Sequence, residues 1–123
     1  MIAHPTGRLL GERDAYELDF GKVFQAARDT RTALEINSHP QWLDLNAVHV
    51  KRAQEMGVTP AVDTDSHGRD QFHNLEFGVA VARRGWCEKK NILNCLNLKQ
   101  LESGMKKKRS VSSSLSISGA FML

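Results

Sequence analysis

The sequence predicts an α/β fold of about three consecutive β/α units with parallel strands, and three observations carry that expectation. Short apolar runs alternate with segments of helical periodicity, the runs begin roughly thirty residues apart, and turn residues punctuate each change of period. Strands joined by crossover helices pair in parallel, which is the rhythm of βαβ units.

The first strand is expected at "MIAH", stopping at Pro5 and Gly7. Phe20, Val23, Phe24 and Ala27 then recur at i, i+3, i+4 and i+7 behind Asp19, a residue type suited to an N-cap, and predict an amphipathic helix. "TALEIN" reads as the second strand, with Leu34 and Ile36 on one face and Glu35 and Asn37 on the other. After a turn at "NSHP", a helix is expected from about Asn46 to Met56, closed by Gly57. "VTPAVDTD" is the third strand, and "RDQFHNLEFGVAVARRG" the third helix, with Phe72, Leu75, Val79 and Ala82 as its buried stripe. Ile92, Leu93, Leu96, Leu98 and Leu101 mark a shorter helix or pair of turns. Three units form an arc and not a closed barrel, which takes about 250 residues, so the outer strands are open edges unless another element covers them.

Composition bounds the rest. With 41% hydrophobic and 25% charged residues in 123, the chain is that of an ordinary globular domain of modest size. No apolar run is long enough to span a bilayer, and His4, Arg8, Glu12 and Arg13 interrupt any secretory signal, so no membrane partner and a cytoplasmic location are expected. The net charge is +3, and setting aside the four positive charges of Lys106, Lys107, Lys108 and Arg109 leaves −1 for residues 1–105. The body is therefore not a basic nucleic-acid surface by composition. One domain is expected over 1–102, followed by a disordered basic and Ser-rich tail over 103–123. Cys87 and Cys95 stand eight apart without a CxxC partner and read as reduced packing residues.

Chemistry concentrates where parallel α/β folds place it, at the carboxyl ends of the strands. His4 follows the first strand, Asn37 the second, and Asp65 and His67 the third. Imidazoles and carboxylates are the usual ligands for zinc, manganese or iron. In "AVDTDSHG", Asp63, Asp65 and His67 alternate and would share one face of an extended chain, a charged face that a cation would explain. Glu35 and Asp63 lie deeper on the polar faces and read as a network orienting the ligands. Arg8 is a candidate for stabilising a phosphate oxyanion. His39, His49 and His73 fall in a turn and on helices and are set aside as ligands.

The stretches "AHPTGRLLGERDAYELDF", "ALEINSHPQWLDLN", "AVDTDSHGRDQFHNLEFGVAVARRGW" and "NILNCL", in order over about residues 1–101, resemble the final portion of the polymerase-and-histidinol-phosphatase (PHP) domain of bacterial family X DNA polymerases. The resemblance implies a partial (β/α)7 PHP-type barrel carrying up to three divalent metal ions in the complete domain, Mn2+ or Zn2+. It also implies phosphoesterase activity on DNA 3′ ends, as a 3′–5′ exonuclease and 3′-phosphatase. Carried over by position, His4, Asp65 and His67 match metal ligands, while Arg8 and Asn37 match residues lining the site. The family's HxH strand and its polymerase and helix-hairpin-helix parts have no counterpart in the chain. The expectation is thus a fragment whose missing N-terminal barrel partner supplies further ligands, inactive alone. His39 and Trp42 stand where the family pattern has an amide and an arginine. Two other readings compete: a phosphatase of small phosphate monoesters such as histidinol phosphate, and a non-enzymatic fragment.

Overall fold

The computed structural model describes residues 1–8, 10–11 and 19–105. Helix α1 (Phe20–Asp29) starts at Asp19, whose carboxylate accepts from the Lys22 N–H at 3.2 Å. It buries Phe24 and Ala27, as the periodicity predicts. Strand β1 (Leu34–Asn37) follows, then α2 (Ala47–Glu55), capped by the Asn46 side chain on the His49 N–H at 2.9 Å. Met56 and Gly57 end α2, and Gly57 has the positive φ of 87° that the chain reversal needs. Strand β2 (Pro60–Asp63) pairs parallel with β1, Glu35 opposite Ala61 and Asn37 opposite Asp63.

The expected first strand shrinks to a single parallel bridge, Ile2 with Leu34, because the chain turns at once. His4 takes a φ of +46° and its carbonyl accepts from the Gly7 N–H, so no strand extends beyond Ile2. The three predicted strands are therefore a two-stranded parallel sheet flanked by one bridge, and the α/β character stands.

Opposed residues of a sheet share a face, so Glu35, Asn37, Ala61 and Asp63 line one side and Leu34, Ile36 and Val62 the other. The second side joins Phe24, Leu45, Val50, Ala53, Val58, Val81 and Ala82 in the core, and Ile2, Phe20 and Cys87 pack at its margin. Cys87 thus has the packing role expected of it, whereas Cys95 is exposed; both are free.

The third helix departs from its expected stripe. Residues Arg69–Asn74 form a 3₁₀ segment, and α3 (Leu75–Arg84) buries Gly78, Val81 and Ala82. Phe72, Leu75 and Val79 are exposed, Phe72 at 63%, and only Ala82 of the predicted stripe is in the core. Close approach explains the difference. A Cβ on Gly78 would lie 2.0 Å from Ser38 Oγ and 2.7 Å from Val62 Cγ1, so the helix meets the sheet along its smallest residue.

Two 3₁₀ turns, Lys89–Asn91 and Leu93–Cys95, lead to a helical segment at 98–105. In the second of these turns Asn94 covers the outer edge of β2. Its amide oxygen accepts from the Val62 N–H and its amide nitrogen donates to the Val62 carbonyl, both at 2.8 Å. Residues 103–105 are helical, and the rest of the expected tail lies outside the described residues. No helix among the described residues is long and apolar enough to cross a membrane.

Candidate metal centre

The carboxyl ends of the three parallel segments converge on one rim. Asn37, fully buried at the end of β1, stands at its centre. Its amide nitrogen donates to Glu35 Oε1 at 3.2 Å and to Asp65 Oδ2 at 3.3 Å, and lies 3.5 Å from His4 Nδ1. Its amide oxygen accepts from the His39 N–H at 2.9 Å. Glu35, 4% exposed, also accepts from the His4 backbone N–H at 2.9 Å. His4 Nε2 and Asp65 Oδ2 face each other at 3.7 Å. Five of the residues singled out by sequence, His4, Glu35, Asn37, Asp63 and Asp65, thus share one region.

The third-strand run does not stay extended as expected. Asp65 adopts a φ of +48°, a left-handed turn that Asp tolerates better than most residues, and the alternation of Asp63, Asp65 and His67 breaks there. His67 is exposed; its Nδ1 lies 2.9 Å from the Asp65 carbonyl and its N–H donates to Gln71 Oε1 at 2.8 Å. A carbonyl only accepts, so Nδ1 is the donor in that contact, and Nε2 is the ring nitrogen left to face a ligand. Histidines that ligate metals commonly donate their other ring nitrogen in this way.

The electrostatics are those of crowded carboxylates. Burial raises Asp63 first, then a hydrogen bond with the neighbouring Glu35 and the charges of Glu35 and Asp65, to about 8 in all. One of its oxygens, Oδ1, is buried with no hydrogen-bond partner. A buried orphan acceptor is costly unless a proton or a cation meets it. Among the described residues, no three His, Cys, Asp or Glu side chains converge on a point where they could hold a metal ion. His4 Nε2 and Asp65 Oδ2 are nevertheless closer than the roughly 4 Å that separates ligands across one ion with bonds of about 2.0–2.2 Å. Two of the three candidate ligands, His4 and Asp65, stand face to face, and His67 does not join them.

Arg8 sits beside the rim differently from the free guanidinium of the sequence reading. Its Nε donates to the Trp42 carbonyl at 3.0 Å and a terminal nitrogen donates to the Leu43 carbonyl. His39 and His73 hold no place in the cluster. His49 stacks on Phe20, ring centroids 4.0 Å apart. Two residues that the sequence reading gave no part in the site lie against it. The Trp42 ring lies 4.7 Å from the His4 ring, and Asp44 is fully buried under the His4 turn. A carboxylate between Leu43 and Leu45 was the available signal for Asp44, since a charge inside an apolar run needs a buried partner.

These features define an α/β chain with parallel strands and an imidazole–carboxylate cluster at their carboxyl ends. Over 107 residues, 87% of its length, the chain is 46% identical to the DNA polymerase/3′-5′ exonuclease PolX of Bacillus subtilis. Those residues are 19% of that relative, so the chain spans about a fifth of its length. No family model matches the chain.

Proposed function

We propose that the chain is part of a metal-dependent phosphoesterase acting on DNA 3′ ends, the exonuclease half of a PolX-like enzyme, within a PHP-type barrel. The observation that carries this reading is the 46% identity to a protein named for its 3′-5′ exonuclease. The rim supports it: residues from the ends of both strands and from the turn after the Ile2 bridge meet there, and the unsatisfied Asp63 oxygen fits a cation.

In this reading His4, Asp65 and His67 hold Mn2+ or Zn2+, which supplies Lewis acidity toward a phosphoryl oxygen and makes a water molecule more acidic. Glu35 and Asn37 fix the His4 backbone and the Asp65 carboxylate, so the ligands keep their places between turnovers. A guanidinium carries five N–H donors. Arg8 uses two groups on the Trp42 and Leu43 carbonyls, and offers the remaining ones to a phosphate oxygen. Alone the chain binds Mn2+ weakly and turns over no DNA, since three ligands do not converge among its described residues.

A chimera tests the assignment. The matched segment of the Bacillus subtilis protein is replaced by the 107 matching residues of this chain, and nucleotide release from a 3′-labelled single strand is followed with Mn2+. The expected result is exonuclease activity lost on His4→Ala, Asp65→Ala or His67→Ala. A folded chimera without activity overturns the function, and rapid 3′–5′ digestion by the chain alone overturns its incompleteness.

A further inference from the structure

We propose that Asp44 is the positioning residue for His4, holding with one side chain the turn that carries the imidazole and with its main chain the end of the neighbouring strand. The inference rests on the metal-site reading for its purpose, and on the geometry for its substance.

His4 has a left-handed φ of +46°, a conformation a non-glycine residue keeps only when its surroundings impose it. The imposing contacts can be counted from the residues that follow. Asp44 Oδ2 accepts from the Thr6 N–H at 3.0 Å and the Gly7 N–H at 2.9 Å, and Oδ1 accepts from the Thr6 hydroxyl at 2.9 Å. The Thr6 N–H is shared with Oδ1 at 3.2 Å. Burial pushes the Asp44 carboxyl up, and the Thr6 and Gly7 donors and the Arg8 charge oppose that push. The two backbone N–H groups can only donate and so fix Oδ2 as an acceptor, while the Thr6 hydroxyl, which can donate or accept, meets Oδ1.

The same residue reaches the other side of the rim. Its backbone carbonyl accepts from the Asn37 N–H at 2.5 Å. Asn37 in turn donates to Asp65. The distance between the His4 ring and the Asp65 carboxylate is therefore set through Asp44 from both ends. Glu35 holds the His4 N–H itself, and Asp44 holds the two residues beyond Pro5, so the turn is pinned before and after the ring. Thr6 and Asp44 are both buried, which keeps water from competing for these donors.

The test uses the full 123-residue chain, Asp44→Asn, and two readouts. An amide in place of the carboxylate leaves one acceptor oxygen where there were two, so the Thr6 N–H, the Gly7 N–H and the Thr6 hydroxyl can no longer all donate to it. The His4 ring lies against Trp42, so its imidazole resonances are ring-current shifted and report its place without any metal. In Asp44→Asn these resonances are expected to move to unstructured values while the Leu34 and Ser38 amides stay protected. Mn2+ affinity is expected to fall about tenfold, and in a His4→Gln background the same substitution is expected to change it by less than about twofold. Unshifted His4 resonances, or an equal loss of affinity with and without His4, overturn the proposal. Should Asp44→Asn fail to fold, Thr6→Val removes one donor alone and must shift His4 in the same direction. If the wild-type chain binds no Mn2+, the metal-site reading fails, and the His4 resonances still decide the positioning claim.

Discussion

Replacing Gly78 by Ala tests whether α3 seats where the site needs it. An added Cβ would meet Ser38 Oγ at 2.0 Å, Val62 Cγ1 at 2.7 Å and Ser38 Cβ at 3.1 Å, contacts from the residue that follows β1 and from β2 itself. Overpacking of this kind costs about 1–3 kcal/mol, and two separate residues obstructing at once place it in the upper half of that range. Against it stands the helix propensity of Ala over Gly, about 1 kcal/mol in a helix interior. The net expectation is a loss of about 1–2 kcal/mol, which in a domain of this size lowers Tm by roughly 5–15 °C. The Ser38 hydroxyl is buried without a partner, so Ser38→Ala alone should be neutral or stabilising. It also removes the nearest obstacle, and the pair should therefore couple by about 1 kcal/mol in a double-mutant cycle. Urea unfolding with an unchanged m-value is the assay. If Gly78→Ala stabilises the chain by the full propensity gain, or adds independently to Ser38→Ala, the helix does not seat on the end of β1 as described.

Asn94→Ala leaves the Val62 N–H and carbonyl without their partners, and should cost about 1–3 kcal/mol with faster hydrogen exchange at Val62 than at Leu34; equal exchange at both would refute it. His49 is held below its ordinary value by burial, with its Nδ1 unpartnered, so the folded state resists protonation that the unfolded chain accepts. Stability is thus full above about pH 6.5 and declines as pH falls through that value toward the lower folded one, a decline that should vanish in His49→Phe melts. Asp65→Asn should weaken Mn2+ binding by the chain at least tenfold in titration calorimetry, since a neutral amide is a poor substitute for a carboxylate ligand; unaltered binding would remove Asp65 from the site.

Much of the fold was legible because it rests on period and caps. "LEIN" and "PAVD" are strands, and Asp19 and Asn46 cap the helices they precede. The meeting of His4, Asn37 and Asp65 was legible because strand ends in a parallel sheet lie together, whereas His67 stays outside that meeting. The buried face of α3 was not legible. A reading by side-chain size favours Phe72, Leu75 and Val79, while the sheet selects Gly78 for the closeness it allows. The continuation from Asp63 to His67 failed similarly, because nothing in the spacing announces a left-handed residue at Asp65. Asp44 and Asn94 escaped because each acts on a backbone far away in sequence, Thr6–Gly7 and Val62, which no local pattern encodes.

The Asn94 amide gives the sheet an edge that is closed yet replaceable. A side chain imitates one residue of a neighbouring strand, two hydrogen bonds long, and leaves when a single rotamer changes. A genuine strand arriving at β2 would exchange those two bonds for a whole ladder without disturbing the core behind Val62. The latch therefore guards the lone chain against indiscriminate templating of other chains, and still lets the sheet grow where a matching segment is present.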